Sequence, residues 1–166
     1  MDRQTIKKCA SCLFILAFCL LHFASCKTNQ WHDWKELNEA LLAANVANNP
    51  DVTVTPSGLQ YRILADPNKT EACPHSGCTI LCDYETKLLN GALVDSASNA
   101  TFAVAQLISG VQEGVHLIHV HGDIELWIPY QLAYGSEGAG SEGYRSFVPP
   151  YSAIYFKVHI DASTAD

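Results

Sequence analysis

Ile128-Pro129-Tyr130-Gln131-Leu132-Ala133-Tyr134-Gly135 is the stretch whose reading decides the fold, together with the Gly/Ser loop Ser136 to Ser146 and the Phe147-Val148-Pro149-Pro150 that follow it. An alternating run lies on each side. Ile124, Leu126 and Ile128 share one face before the stretch, and Ile154, Phe156, Val158 and Ile160 share one after it, with Tyr155, Lys157 and His159 opposite. Further out, Cys78, Ile80, Cys82 and Tyr84 repeat the period of two, as does the half-buried run Leu59 to Leu64 behind the turn Thr55-Pro56-Ser57-Gly58. Between these strands, Leu107, Val111, Val115 and Ile118 recur at helical spacing, which predicts a helix from Leu107 to about His119. One apolar sheet face covered by one helix is an α+β architecture. The expected fold is a curved antiparallel β-sheet wrapped on one short α-helix, with a cleft between them.

A short N-terminal helix should precede this domain. Trp34, Leu37, Leu41 and Leu42 are spaced for a helix from Trp34 to Asn45, with Asp33 as cap and Asn48-Asn49-Pro50 as stop. Trp31 and Trp34 either cover the core or sit near a membrane. The expected organisation is a leader over 1–25, a tether and helix over 26–54 and the folded domain over 55–162.

The leader is read from its own chemistry. Arg3, Lys7 and Lys8 precede an apolar run from Leu13 to Leu21, and small residues Ala24 and Ser25 precede Cys26, the pattern of an export signal. The run is shorter than the roughly 20 apolar residues of a membrane span. Phe23-Ala24-Ser25-Cys26 resembles a bacterial lipoprotein cleavage box, although Phe23 stands where that box usually has Leu. The resemblance implies lipidation at Cys26 and a place in the cell envelope, with the outer membrane facing the periplasm favoured over the inner. Ordinary secretion with a plain Cys26 thiol is the alternative.

Residues 1–25 hold three basic residues and one acidic one, so the remainder carries 7 Lys and Arg against 16 Asp and Glu, a formal charge of −9. So acidic a chain is unsuited to nucleic acid, whose binding rests on basic residues displacing counterions from phosphates. It gains nothing from an anionic membrane surface either, which leaves the lipid as the membrane anchor. Cys73, Cys78 and Cys82 remain as an odd set in an oxidising compartment. Cys73 and Cys78 suit a small disulfide loop with Cys82 buried on the core face; a metal site from Cys73, His75, Cys78 and Cys82 has suitable atoms but no recognised spacing.

Over residues 56 to 161 the chain resembles the FKBP-type peptidyl-prolyl isomerases. The motifs are Ser57-Gly58-Leu59-Gln60-Tyr61, Leu88-Leu89-Asn90-Gly91 with Val94-Asp95-Ser96, Leu107-Ile108-Ser109-Gly110-Val111-Gln112-Glu113-Gly114, the opening stretch and Pro149-Pro150, all in family order. The resemblance implies an FKBP-like fold and isomerisation of X-Pro bonds in exported, proline-containing polypeptides, without cofactor or metal. It assigns catalytic positions to Tyr84, Asp95, Ile108 and Tyr134. Substrate-binding walls would be Val94, Phe102, Leu107, Val111, Phe147, Val148 and Phe156. Ile108 would offer a backbone N–H, Tyr134 a hydroxyl, and Asp95 a rim carboxylate bonded to Tyr84 or the substrate.

Three departures bear on activity. Val111 stands where the family usually has the Trp that floors the proline pocket, Val94 stands where it usually has Phe, and a short loop from Asp95 to Phe102 lacks a basic residue often found there. A weakened isomerase is one expectation. A non-catalytic envelope chaperone or adaptor that holds extended polypeptide is the other. The loop 136–146, with Tyr144 and Arg145 near its end, reads as an adaptable flap over the cleft. His116 and His119, three apart, and His121 form the remaining cluster; they either share a metal-binding face or mark a solvated helix end before a turn at Gly122-Asp123.

Overall fold

The computed structural model describes residues 26–67, 69 and 74–165. The leader over 1–25 and Cys73, with the disulfide and metal readings that need it, lie outside these residues. Among the described residues, Cys78 and Cys82 are buried and form no disulfide with one another.

The chain opens with α1 (Cys26–Asn48), then β1 (Thr53–Val54), β2 (Gln60–Ala65), β3 (Cys78–Leu88) and β4 (Leu93–Ala103). A 3-10 turn (Val104–Gln106) leads to α2 (Ser109–Val115), β5 (Asp123–Ile128), a second 3-10 turn (Tyr130–Leu132) and β6 (Ile154–Ala165). The strands form one sheet in the order β1-β2-β5-β6-β3-β4, and every pairing is antiparallel. Ile124, Leu126, Ile128, Ile154 and Ile160 are fully buried, as the alternation predicts. α2 lies on this face so closely that a Cβ at Gly110 or Gly114 would run into Ile128 or Leu126.

The helix is shorter than its apolar spacing suggests. Leu107 and Ile108 are extended, and after Val115 the ladder tightens, with Leu117 N–H donating to the Gly114 carbonyl at 3.1 Å. Ile118 is still fully buried, because the turn that follows folds it back beneath the sheet. His116 and His119 therefore share no helix face. His119 is tied to Asp66, whose carboxylate oxygens both lie 3.0 Å from its Nδ1 and one of which accepts its backbone N–H, so it is not a solvated helix end either.

Two other expectations are revised. Residues 96–101, read as a loop, continue strand β4: Ser96 pairs with Glu85, Ala97 with Tyr84 and Ala100 with Cys82, with a bulge between the last two pairs. The N-terminal helix extends upstream of Trp34 and stops where the Asn-Asn-Pro signal places it. Its inward residue is Asn38, 2% exposed, while Leu37 is 47% exposed. Asn38 Oδ1 accepts the Ala153 N–H at 3.0 Å, and its Nδ2 donates to the Trp34 carbonyl at 2.8 Å. Trp34 Nε1 donates to Ser152 Oγ, and Gln60 Nε2 to the Leu42 carbonyl. The helix thus docks by hydrogen bonds, one satisfying the Ala153 N–H of the domain and one the helix's own Leu42 carbonyl. No described helix is long and apolar enough to cross a membrane.

Candidate functional site

A cleft of about 260 Å³ opens between the sheet and α2. Its aromatic wall comes from three strands. Tyr84 on β3 stacks on Phe156 of β6 at 5.7 Å between ring centres and meets Phe102 of β4 edge-on at 5.5 Å. Strand pairing dictates this grouping, because β3 lies between β6 and β4 and all three rings leave the same face. Val94 and Asp95 line the β4 side, Leu107, Ile108 and Val111 the helix side, and Tyr134 comes from the turn after β5.

The helix side is held by short polar ties. Gln112 Nε2 donates to the Leu107 carbonyl at 2.7 Å and Ser109 Oγ to the Leu132 carbonyl at 3.2 Å. Ile108 is the N-cap: its carbonyl accepts N–H bonds from Val111 and Gln112, while its own N–H lies outside the helical ladder. Ser57 Oγ donates to the Glu113 carboxylate, which joins the opening turn to α2.

The polar groups of the cleft are few and neutral apart from Asp95. Tyr84 Oη donates to Asp95 Oδ2 at 2.7 Å, and the Ser96 N–H donates to Oδ1 at 2.9 Å. Burial, and next the bond to Asp95, push the Tyr84 phenol up to about 12. Burial also raises that of Tyr134, with the Asp95 charge adding to it. Both hydroxyls stay protonated and able to donate at neutral pH.

Nine of the positions picked from sequence meet here: Tyr84, Val94, Asp95, Phe102, Leu107, Ile108, Val111, Tyr134 and Phe156. Phe147 and Val148 do not. Phe147 turns away into a groove against α1, beside Trp31, Trp34 and Leu37. Val148 is 1% exposed and packs in the core, its backbone paired with Ala139. Successive side chains leave an extended backbone on opposite sides, so Phe147 goes to the α1 groove and Val148 to the core. Thr86 and Gln106, not picked from sequence, complete the lining. Thr86 was readable, since it continues the Cys82, Tyr84 alternation; Gln106 sits in a 3-10 turn with no periodic signal.

His32, Asp33 and Glu36 are the three described residues whose ligand atoms cluster, and all are exposed on α1, away from the cleft.

Comparison with known proteins agrees with this architecture. Residues 70–161 match the family model described as FKBP-type peptidyl-prolyl cis-trans isomerase. The chain is 33% identical over 130 residues to the outer membrane protein MIP of Legionella longbeachae, covering 76% of this chain and 52% of that protein. It is 35% identical over 119 residues to the FKBP-type 22 kDa peptidyl-prolyl cis-trans isomerase of Escherichia coli, covering 69% and 54%. The chain thus spans about half the length of these curated relatives. The crystal structure of FkpA from Escherichia coli superposes with a TM-score of 0.74 at 23% identity, covering 99% of this chain and 74% of that one, a likeness of fold. With the family model matched over more than half of its length, the chain belongs to the FKBP-type peptidyl-prolyl cis-trans isomerase family.

Proposed function

We propose that this domain accelerates rotation about X-Pro bonds in exported polypeptides. The observation that carries the reading is the cleft itself: an apolar, aromatic-walled hollow of about 260 Å³, with the Tyr84–Asp95 pair and Tyr134 in its lining. An X-Pro bond turns through a barrier of about 20 kcal/mol because the amide loses resonance when twisted. A site that strips water from the amide and fits its twisted form better than either planar form lowers that barrier without acid, base or nucleophile. In this role Ile108 N–H and the Tyr134 hydroxyl hold the carbonyls flanking the proline, and Tyr84 and Asp95 fix the rim. Val94, Phe102, Leu107, Val111 and Phe156 take the ring. The test is isomerisation of an X-Pro peptide by the full chain: faster exchange that Tyr134→Phe diminishes supports the reading, and no acceleration at high protein concentration sinks it.

One observation favours a second reading. Val111 and Val94 leave the cleft with less flat aromatic surface than a Trp floor and a Phe wall would give, which suits a chaperone or adaptor that holds extended chains without turning their prolines. Suppression of client aggregation with no isomerisation would select it. In either case residues 1–25 act as an export signal and Cys26 carries the lipid that tethers the domain to the envelope, most simply the outer membrane facing the periplasm. The sequence pattern supports this, as does the similarity to the outer membrane protein MIP of Legionella longbeachae. Mass spectrometry of the membrane fraction tests it, and an unmodified Cys26 would end the lipid claim.

A further inference from the structure

A second depression, of about 380 Å³, adjoins the cleft and shares Val94 and Asp95 with it; its remaining lining is Ser96, Tyr144, Arg145 and Ser146. Arg145 is the one basic residue lining either hollow, in a chain with 10 Lys and Arg against 17 Asp and Glu. It forms no ion pair with any described residue. The carboxylate of the lining, Asp95, is already engaged on both oxygens, by Tyr84 and by the Ser96 N–H.

The loop bearing Arg145 is fastened on each side of it. Ala139 and Val148 exchange backbone hydrogen bonds of 2.9 and 2.8 Å, the Phe147 N–H donates to the Tyr144 carbonyl at 3.0 Å, and Phe147 is seated in the groove against α1. An anchored loop holds the guanidinium beside the cleft at a smaller entropic cost than a free one would. Tyr144, 72% exposed, adds a flat apolar surface next to it.

We propose that this depression is a second substrate subsite that takes an acidic side chain within two residues of the proline, with Arg145 as its cation and Tyr144 as the surface its stem lies on. The proposal rests on the reading of the cleft as the proline site. A planar guanidinium suits a carboxylate because it donates two parallel N–H bonds.

The test uses the full chain and a set of short proline peptides carrying Glu, Gln or Lys at each of the two positions on either side of the proline. Isomerisation and binding are read together by NMR exchange and titration. The measured quantity is the Glu/Gln ratio within each protein, which cancels any general loss of activity. At one position the ratio should be about two- to five-fold at low salt, the range of an exposed ion pair. It should fall toward one in Arg145→Gln and at high salt, while Arg145→Lys keeps part of it. A ratio near one at every position, or a preference that survives Arg145→Gln, overturns the subsite. Gln peptides that are neither bound nor turned over would instead overturn the proline-site reading, and peptides bound but not turned over leave the ratio readable from affinity.

Discussion

Tyr84 donates a 2.7 Å hydrogen bond to Asp95 across the β3–β4 hairpin while its ring stacks on Phe156. The two residues are not directly paired: Thr86 lies opposite Asp95 and Ala97 opposite Tyr84. The phenol therefore reaches diagonally along the cleft rim, and the carboxylate that receives it is also braced by its neighbour's N–H. A rim set this way holds its dipoles fixed, so under the proposed function no reorganisation would be needed as a bound X-Pro amide rotates.

Asp95→Ala should free the Tyr84 ring and lower kcat/KM on an X-Pro peptide by about tenfold, equivalent to about 1.4 kcal/mol. Tyr134→Phe, which removes one hydroxyl from an otherwise intact wall, should lower it by a smaller factor. Melting temperature checks that both variants remain folded. Unchanged rates would remove these residues from the mechanism.

Val111 is 3% exposed and lines the cleft, so Val111→Trp is a two-sided test. If the space above Val111 is open, the indole supplies a flat floor, and both isomerase activity and affinity for proline-mimicking macrolides rise with stability kept. If the walls leave no room, overpacking costs about 1–3 kcal/mol and activity does not rise. Paired activity and thermal-melt measurements decide between them.

Gly110→Ala should destabilise the domain although alanine is the better helix former. The gain in propensity is about 1 kcal/mol. Against it, the new Cβ meets the stiff, fully buried Ile128 and lies 3.2 Å from the Leu132 carbonyl, and such crowding costs about 1–3 kcal/mol. A lower denaturation midpoint is expected; a raised one would show that α2 can slide off β5.

The pH response should be flat in activity and sloped in stability at both extremes. Tyr84, held up to about 12 by burial and then by Asp95, and Tyr134, raised by the same causes, keep their protons from pH 6 to 9, so neither titrates in kcat/KM there. A raised phenol is more readily deprotonated in the unfolded chain. The Tyr84 contribution is therefore complete below the ordinary value of 10.0 and lost as pH climbs through about 12. At the acid end, burial alone would raise Asp66, but the His119 backbone N–H and ring outweigh it and hold the carboxyl below its usual 3.8. That contribution is present above 3.8 and fades as pH falls through the lowered value. Thermal melts of wild type and Asp66→Asn should differ at pH 6 and converge in acid; a constant gap would contradict the linkage.

The strand faces were legible in sequence because burial on one side imposes a period of two, and nearly every residue so placed on β3, β5 and β6 is buried. β4 was not, since it is the sheet edge and most of Asp95–Thr101 faces solvent. With little to bury, such a strand carries no alternation, and its small polar residues read as loop. Leu37 and Asn38 show the reverse limit: apolar spacing grouped Leu37 with Trp34, Leu41 and Leu42, yet Leu37 is 47% exposed and a buried backbone N–H at Ala153 drew in Asn38.

Sequence by itself determined the α+β class, the alternating core faces of the strands and the stop of α1, which follow from local periodicity and from residues adjacent along the chain; the nine cleft positions came from the family resemblance, carried over residue by residue. Only the tertiary structure decided that Phe147 braces the loop against α1, that Val148 belongs to the core, that His119 answers Asp66, and that Arg145 stands beside the cleft. Each depends on a partner far away in sequence or on the direction in which a paired backbone points its side chains, and neither is written in the spacing of residues along one segment.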